Sequence, residues 1–219
     1  MEIIMANTVI FDLDGTITDP AKGITGSINY ALKNLRHMEH PEKDLRKYIG
    51  PHLDTTFGEL MGTADETMLA RATELFREMY VRIGYTENKI YDGIREVLGR
   101  LQTEGSTLCV VTMKLRDIAM KVLEFLEIES LFAQVHGCDL NQSKPDLLRG
   151  ILIDDDLGGQ PAVMIGDRGT DFVAAASASI PSIAVGWGYG TEDELSMATY
   201  IVETPTELPA AILKATRQY

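Results

Sequence analysis

Several features that would point to particular protein classes are scarce or missing in this sequence. Its 219 residues include two cysteines, one tryptophan and 20 Lys or Arg against 33 Asp or Glu, a formal charge of −13. An excess of negative charge repels nucleic acid and anionic membrane surfaces, so we expect no nucleic acid polymer and no membrane among the partners. The sequence shows no internal repeat and no low-complexity tract. Small molecules or metal ions are the expected partners.

The few cysteines and the N-terminus indicate a reducing compartment. Cys109 lies in an apolar run, and Cys138 follows a short strand-like segment, so we expect reduced thiols and no disulfide. Glu2 stands where a secretion signal would carry positive charge. The uncharged stretch 172–190 contains Pro181, small residues and glycines, which makes it a poor membrane span. We therefore expect a cytoplasmic location.

The distribution of apolar runs predicts an α/β fold with an inserted helical domain. Apolar content of 45% is sufficient for a core. Helical patterns alternate with short runs typical of strands, at Thr8 to Phe11, Thr107 to Val111, Ala162 to Ile165, Ile183 to Val185 and Tyr200 to Val202. No strand signal is found between the first run and Tyr91. We predict a parallel-sheet core from 1–17 and 91–219 and a helical bundle from 18–90.

Within the predicted bundle, one helix is marked clearly by its start signal and its periodicity. Thr63 and Glu66 have the spacing of a capping box, apolar residues follow at three- and four-residue steps, and Gly84 ends the pattern. An earlier helix carries the apolar residues from Ile24 to Leu35, and two shorter helices are expected within 42–61. These four helices are enough for a small bundle.

Asp12 and Asp14 directly follow the first predicted strand. In a parallel sheet, ligands collect beyond the carboxyl ends of the strands, and residues i and i+2 of an extended segment face the same side. Gly15 then permits a sharp turn. An EF-hand calcium loop is excluded because its glycine and glutamate positions hold Ile17 and Gly23. A second acidic cluster at 154–159 has the character of a solvated turn.

Three further features lie where other strands of the sheet end. Thr112 follows the second strand, Lys144 precedes Pro145 in a polar loop, and Asp167 begins the run Gly166-Asp167-Arg168-Gly169-Thr170-Asp171. Each has an ordinary structural interpretation as a helix cap, a surface lysine or a first-turn acid. Their order and spacing together favour a shared active site.

Phosphoryl transfer through a carboxylate nucleophile is the reaction that these groups suit. A carboxylate that attacks phosphorus meets charge repulsion, which a divalent cation and a lysine can offset. Asp12 and Asp167 offer the hard oxygen ligands that Mg²⁺ prefers, and Lys144 offers positive charge. Thr112 can hold a phosphate oxygen, while Asp14 can protonate the departing alkoxide and later activate water.

With these motifs, the chain resembles haloacid dehalogenase superfamily phosphatases that carry a helical cap of the C1 type after the first strand. The resemblance covers essentially the whole chain and implies a five-stranded Rossmann-like core with a closing cap. It implies that Asp12 forms an aspartyl-phosphate, that Asp14 is the general acid and base, and that Thr112 and Lys144 form the second and third motifs. It assigns Mg²⁺ coordination to Asp12, the Asp14 carbonyl and Asp167, with support from Asp171.

Less specific marks resemble the phosphoglycolate phosphatase subgroup. They are Tyr48-Ile49-Gly50-Pro51, Gly166-Asp167-Arg168 and Trp187-Gly188-Tyr189-Gly190 followed by Glu192 and Glu194. Two departures are Met113, where many relatives have Asn or Ser, and Pro20, where many have Ser. The backbone amide of Met113 survives this change, so phosphate binding is expected to persist.

The substrate is expected to be a small phosphorylated metabolite. The turn Gly50-Pro51-His52 aligns with a loop that reaches the leaving group in capped relatives, and we expect Lys114 and Arg168 on the core rim opposite it. His52 as an ordinary surface histidine is an equal alternative. Asp14 argues against dehalogenase and phosphonatase activity. Pyrophosphatase, 5′-nucleotidase and sugar phosphomutase activities stay open, as does a non-catalytic domain that binds a phosphorylated ligand, and the sequence leaves the oligomeric state undetermined.

Overall fold

The computed structural model describes residues 7–138, 142–153 and 160–217, which divide into two compact units. One unit comprises Met1–Asp19 and Ile90–Tyr219, and the other comprises Pro20–Lys89. These limits lie within two residues of the sequence-based boundaries. The acidic cluster at 154–159 is outside the described residues.

The first unit is built around a six-stranded parallel sheet. Its strands are β1 (Thr8–Phe11), β4 (Thr107–Thr112), β5 (Gln134–Gly137), β6 (Ala162–Gly166), β7 (Ser182–Val185) and β8 (Tyr200–Val202). They lie in the order β5-β4-β1-β6-β7-β8 across the sheet. The sheet therefore has one strand more than the five-stranded core implied by the resemblance, and β5 is the strand that is not among the five apolar runs of the sequence. This strand corresponds to the strand-like segment before Cys138, and its polar residues Gln134 and His136 weaken the apolar signal.

Helices cover the sheet of the first unit. They are α5 (Ile94–Thr103), α6 (Arg116–Phe125), α7 (Lys144–Leu152), α8 (Gly169–Ser177), α9 (Glu192–Leu195) and α10 (Leu208–Thr216). Helices α7 and α8 contribute Leu148, Ile151 and Ala174 to one buried cluster that also contains Ile10 and Met164 from the sheet. Alternate strand residues face opposite sides, so β1 and β6 supply core to both layers. This buried sheet fixes where its strands end.

The second unit is helical, with α1 (Ala21–Asn34), α2 (Glu42–Leu45), α3 (Leu53–Met61) and α4 (Glu66–Arg82), plus 3₁₀ turns at Arg46–Tyr48 and Gly84–Glu87. Its core includes an edge-on contact between Phe57 and Phe76, with ring centroids 6.5 Å apart. Tyr80 stacks on Phe76 at 5.7 Å. Aromatic packing of this kind explains the apolar periodicity of α4 without any cofactor.

Two sequence-based details of the helical region are wrong. The Thr63 and Glu66 capping box does not start α4, because the carboxylate of Asp65 caps the helix by accepting the amide hydrogens of Thr67 at 2.9 Å and Met68 at 3.2 Å. The segment before Tyr91 also contains strand structure. The short strands β2 (Thr18–Asp19) and β3 (Lys89–Ile90) pair in a separate two-stranded sheet, and two residues are too few for a periodic signal.

The structure shows the state of both cysteines and the character of the helices. Neither Cys109 nor Cys138 forms a disulfide; Cys109 is buried and Cys138 is half-buried. None of the helices in the described ranges combines the length and the apolar character that a membrane span requires. The stretch 172–190 is divided between α8, strand β7 and the loop that follows.

Candidate active site

Strand β1 carries Asp12 to the carboxyl edge of the sheet, between β4 and β6. Its last residue, Phe11, is in register with Val110 of β4 and Ile165 of β6. The amide of Asp12 donates to the Ile165 carbonyl at 2.8 Å, which continues the ladder by one residue. Gly15 then turns the chain with a φ of 92°, a conformation that favours glycine. Asp12 is thus a buried carboxylate on a rigid support.

Lys144 lies between two of the acids. Its Nζ is 2.6 Å from Asp12 Oδ1, and it also forms an ion pair with Asp171 Oδ1. Lys144 is the first residue of α7, so the expected polar loop is wrong; the capping interaction of Ser143 with Asp146 starts the helix there. Lys144 is only 5% exposed, and a lysine is almost never buried this deeply unless its charge is paired, as it is here.

Asp12, Asp167 and Asp171 form a buried acidic cluster whose ligand oxygens lie within 4.8 Å of one another. Asp167 follows strand β6 directly, Asp171 lies in the first turn of helix α8, and both are fully buried. Lys144 supplies one positive charge against three carboxylates, so the cluster retains an excess of two negative charges when all three acids are ionised. A divalent cation has the charge and the hard-ligand preference to fit this cluster.

Burial and mutual repulsion shift the titration of these groups. Desolvation raises the pKa of Asp12 to about 8, with Asp171 and Asp167 adding to the rise and Lys144 opposing it. Desolvation and the Asp171 charge raise the pKa of Asp167 to about 7. Burial alone would lower the pKa of Lys144, but the charges of Asp12 and Asp171 outweigh it and raise that pKa. Without a cation, the cluster therefore retains protons near neutral pH.

Asp14 follows Asp12 by two residues and is paired with Lys114. The Lys114 Nζ is 2.7 Å from Asp14 Oδ2, and both side chains are less than one-fifth exposed. The other carboxylate oxygen of Asp14 is buried without a hydrogen-bond partner among the described residues. The lysine that the sequence suggested as a substrate contact therefore reaches Asp14 in the structure.

Thr112 ends strand β4, and its hydroxyl accepts the amide hydrogen of Lys114 at 3.2 Å. The Thr112 side chain is buried at the same sheet edge as Asp12. The Met113 side chain packs against the core cluster of the α7 and α8 face, so Met113 offers its backbone to the site.

Arg168 and His52, the other two sequence-based substrate contacts, lie in different units. The Arg168 Nε donates to Glu194 Oε1 at 3.1 Å, and its amide donates to Asp171 Oδ2 at 2.9 Å. His52 belongs to the helical unit, where it precedes the first residue of α3. The structure brings Asp12, Asp14, Lys114, Thr112, Lys144, Asp167 and Asp171 to one sheet edge within one unit.

Sequence reasoning marked Trp187 and Tyr189 as subgroup residues but did not predict that this segment and Thr16 hold Asp167. The amide of Tyr189 donates to Asp167 Oδ2 at 2.7 Å, and the Thr16 hydroxyl lies 3.4 Å from Asp167 Oδ1. The Trp187 indole Nε1 donates to the Thr16 carbonyl at 3.1 Å. The glycines that flank Tyr189 were visible in the sequence, but a backbone amide donor leaves no residue-type signal.

Comparisons with known proteins identify the family of this chain. Residues 9–185 match the family model of haloacid dehalogenase-like hydrolases. A 5′-nucleotidase from Pseudomonas aeruginosa is 36% identical over 190 residues, covering 85% of this chain and 86% of the relative. A phosphoglycolate phosphatase from Caulobacter vibrioides is 29% identical over 214 residues, with 94% and 90% covered.

A solved structure of similar fold supports the same assignment. The crystal structure of a predicted phosphatase from Clostridium acetobutylicum superposes with a TM-score of 0.87 at 35% identity, covering 96% of this chain and 99% of that one. The family model spans most of the sheet and both aspartate motifs. The chain therefore belongs to the haloacid dehalogenase-like hydrolase family, and within that family it is a phosphatase.

Proposed function

We propose that this protein is a Mg²⁺-dependent phosphatase that hydrolyses small phosphate monoesters through an aspartyl-phosphate on Asp12. The observation that carries the proposal is the buried cluster in which Lys144 bridges Asp12 and Asp171 while Asp167 lies alongside. A purely structural cluster would gain little from three buried acids around one lysine, because desolvation of each charge is costly.

In the first half-reaction, an Asp12 carboxylate oxygen attacks the phosphorus, and the bond between phosphorus and the ester oxygen breaks. Asp14, two residues further along, starts this half-reaction protonated and donates its proton to the departing alkoxide. Thr112 and the Met113 amide hold a phosphate oxygen, and Lys144 balances the charge on Asp12. The products of this step are the free alcohol and a phosphate ester on Asp12.

In the second half-reaction, water attacks the phosphorus of the aspartyl-phosphate. Asp14, now a carboxylate, accepts a proton from that water, and the bond between phosphorus and Asp12 breaks. Inorganic phosphate leaves, and Asp12 is again a carboxylate. Lys114 keeps the Asp14 carboxylate in place through their 2.7 Å ion pair.

Asp12, the Asp14 carbonyl and Asp167 would hold Mg²⁺, with Asp171 in support. The cation supplies, when bound, positive charge that reduces repulsion between the carboxylates and an incoming phosphate. The excess of acids over lysine in the cluster fits a divalent ion of this kind. Oxygen-only ligands favour Mg²⁺ over softer metals.

We further propose that the helical unit, residues 20–89 in the structure, acts as a cap that contacts the leaving group. His52, at the turn before α3, is the contact suggested by the sequence resemblance. Phosphoglycolate is the first candidate substrate because of the subgroup marks and the Caulobacter vibrioides relative. A nucleoside monophosphate is the second, because the Pseudomonas aeruginosa relative is named a 5′-nucleotidase.

Phosphate release from a substrate panel tests the proposed activity. We expect turnover of an aryl phosphate with Mg²⁺, none in excess EDTA, and recovery when Mg²⁺ is added back. Asp12→Asn should abolish turnover, whereas Asp117→Asn, at an exposed position, should preserve it. Full activity in EDTA would contradict the metal dependence, and binding of phosphate esters without turnover would favour a non-catalytic domain.

Values of kcat/KM then rank the candidate substrates. The panel contains phosphoglycolate, a nucleoside monophosphate, pyrophosphate and a hexose phosphate. A clear preference for phosphoglycolate supports the first candidate, and preference for a nucleotide supports the second. Isomerisation of the hexose phosphate, dependent on a sugar bisphosphate, would instead indicate a phosphomutase.

A further inference from the structure

The loop that follows strand β7 approaches both chain segments that contribute acids to the site. We call residues 187–190 the β7 loop. The Tyr189 amide in this loop donates to Asp167 Oδ2 at 2.7 Å. The Trp187 indole donates to the carbonyl of Thr16 at 3.1 Å, in the turn that begins directly after Asp14. The β7 loop therefore contacts a buried acid on one side and the Asp14–Thr16 turn on the other.

Its two glycines pack directly against Asp167. A Cβ added at Gly188 would lie 2.3 Å from the Asp167 Cβ, and one added at Gly190 would lie 1.9 Å from the Asp167 carbonyl oxygen. Both distances are far below a van der Waals contact, so any side chain there forces a displacement. The absence of side chains at 188 and 190 is what permits the loop backbone to hold Asp167 this closely.

Side chains anchor the loop on either side of this contact. The Tyr189 hydroxyl donates to Asp19 Oδ1 at the end of β2. Downstream, Glu194 of α9 accepts from the Gly169 amide at 3.2 Å and from Arg168 Nε at 3.1 Å, both at the start of α8. Arg168 Nη1 also donates to the Tyr189 carbonyl at 3.5 Å, so the loop itself contacts the residue between Asp167 and the start of α8.

We propose that the β7 loop is the positioning element of the metal site, with Trp187 and Tyr189 as positioning residues. The inference rests on the proposed function, because it takes Asp12, the Asp14 carbonyl and Asp167 as the groups that hold Mg²⁺. The Tyr189 amide occupies one oxygen of Asp167 and thereby orients the carboxylate. The indole of Trp187 fixes the turn after Asp14.

If the β7 loop positions the metal ligands, Trp187 and Tyr189 affect the affinity for Mg²⁺ without contacting the substrate. Groups that hydrogen-bond to metal ligands, or hold the backbone beside them, set the geometry in which those ligands meet the ion, and their loss commonly weakens metal binding by tenfold or more. Loss of positioning should raise the dissociation constant for Mg²⁺ and leave the rate at saturating Mg²⁺ largely intact. A loop that only stabilised the fold would change the melting temperature and leave Mg²⁺ affinity unchanged.

The principal test is Trp187→Phe, with Mg²⁺ binding measured by titration calorimetry. This change removes the indole N–H and keeps an aromatic ring beside Tyr91, whose ring centroid is 6.4 Å from that of Trp187. We expect Mg²⁺ binding about tenfold weaker than in the unmodified protein, with kcat at saturating Mg²⁺ changed by no more than about twofold. Unchanged Mg²⁺ affinity in a folded variant would overturn the proposal.

A pair of glycine variants provides the matched control. Gly188→Ala should weaken Mg²⁺ binding more than Trp187→Phe does, because the added methyl collides with Asp167. Gly99→Ala in α5 adds the same methyl where nothing lies within 4 Å, and Mg²⁺ affinity should not change. Equal Mg²⁺ affinity in the two alanine variants would contradict the inference.

Tyr189→Phe is a second loop variant in which Mg²⁺ binding can be measured if Gly188→Ala prevents folding. Trp187 is the single tryptophan of the chain, so its emission in this variant reports on the β7 loop directly. Loss of the hydroxyl bond to Asp19 should weaken Mg²⁺ binding by up to about fivefold, the full net effect of one hydrogen bond. If the unmodified protein itself binds no Mg²⁺, the proposed function fails; if it binds Mg²⁺ and neither Trp187→Phe nor Tyr189→Phe weakens binding, only this inference fails.

Discussion

The two units of the molecule differ in where they place charge. In the described part of the chain, every buried charged residue belongs to the α/β unit, namely Asp12, Lys144, Asp167 and Asp171. Buried polar residues of the helical unit are neutral, namely Thr25, Ser27, Thr56 and Asn88. Ion pairs of the helical unit lie at its surface, as in Arg71 with Glu74 and Arg46 with Glu42.

The buried charges of the α/β unit and the exposed charges of the helical unit therefore differ in their effect on stability. An exposed pair contributes about 0 to 1 kcal/mol, whereas a buried charge without its partner costs several kcal/mol. A chain under no functional demand would place apolar residues where Asp167 and Asp171 lie. The α/β unit therefore carries a destabilising feature that the proposed reaction requires, and the helical unit carries none.

The largest effect is expected from Lys144→Met. The change leaves three buried carboxylates without their lysine, so we expect a loss of about 3 to 5 kcal/mol in the free energy of unfolding and at least a 10³-fold loss of activity. Arg71→Met, in the helical unit, should change the free energy of unfolding by less than about 1 kcal/mol. Urea unfolding and phosphate release measure both quantities. Similar stability losses in the two variants would break the contrast between the units.

Asp14→Asn should separate proton transfer from nucleophilic attack. An alkyl phosphate needs a proton on its leaving group, so we expect a loss of about 10² to 10⁴-fold in kcat/KM. An activated aryl phosphate leaves without that help and should lose about tenfold or less. Equal losses on both esters would refute the general-acid role of Asp14 while leaving the Asp12 role intact.

Stability in the absence of metal should depend on pH through the α/β unit. The folded pKa values of Asp12, about 8, and Asp167, about 7, lie above the ordinary aspartate value of about 3.9. The folded protein then holds more protons than the unfolded chain between about pH 4 and 8, so its free energy of unfolding falls as pH rises through that window. One such proton over one pH unit corresponds to about 1.4 kcal/mol.

Melting temperatures in EDTA at pH 6 and pH 8 measure this dependence. We expect a lower value at pH 8, a drop of about 3 °C or more for a chain of this size. Added Mg²⁺ competes with the retained protons, so its stabilising effect should be larger at pH 8 than at pH 6. Asp12→Asn removes one of the two titrating groups and should make the pH dependence in EDTA shallower, because Asp167 still titrates. A flat dependence in the unmodified protein would show that these acids are not protonated.

The smallest effect on the chemical step is expected in the helical unit, from His52→Ala. If His52 contacts the leaving group, the ranking of kcat/KM among phosphoglycolate, a nucleoside monophosphate and an aryl phosphate should change, with the aryl phosphate rate nearly intact. His37→Ala, at a half-buried histidine of the same unit, is the control. An unchanged ranking, or a uniform loss on all three esters, would assign His52 to the surface.

Sequence patterns were most informative where burial is continuous. Strands β1, β4 and β6 have apolar sequences because both of their faces are buried. The long helix α4 was recognisable because its apolar residues recur at three- and four-residue steps. Strand β5 gave a weaker signal because an edge strand tolerates polar residues such as Gln134 and His136. The start of α4 was misassigned because Thr63 and Asp65 are both good capping residues, and only the backbone geometry selects Asp65.

By itself, the sequence determined the α/β plan and predicted the helical insertion and the acids and lysine of the candidate site, because strand ends and residue chemistry are both local properties. Only the tertiary structure decided the partners: that Lys144 lies between Asp12 and Asp171, that Lys114 reaches Asp14, and that Arg168 is held by Glu194. It also placed the Tyr189 amide on Asp167, 22 residues away along the chain. Contacts between distant segments depend on how strands and loops converge at one sheet edge, and no local pattern encodes that convergence.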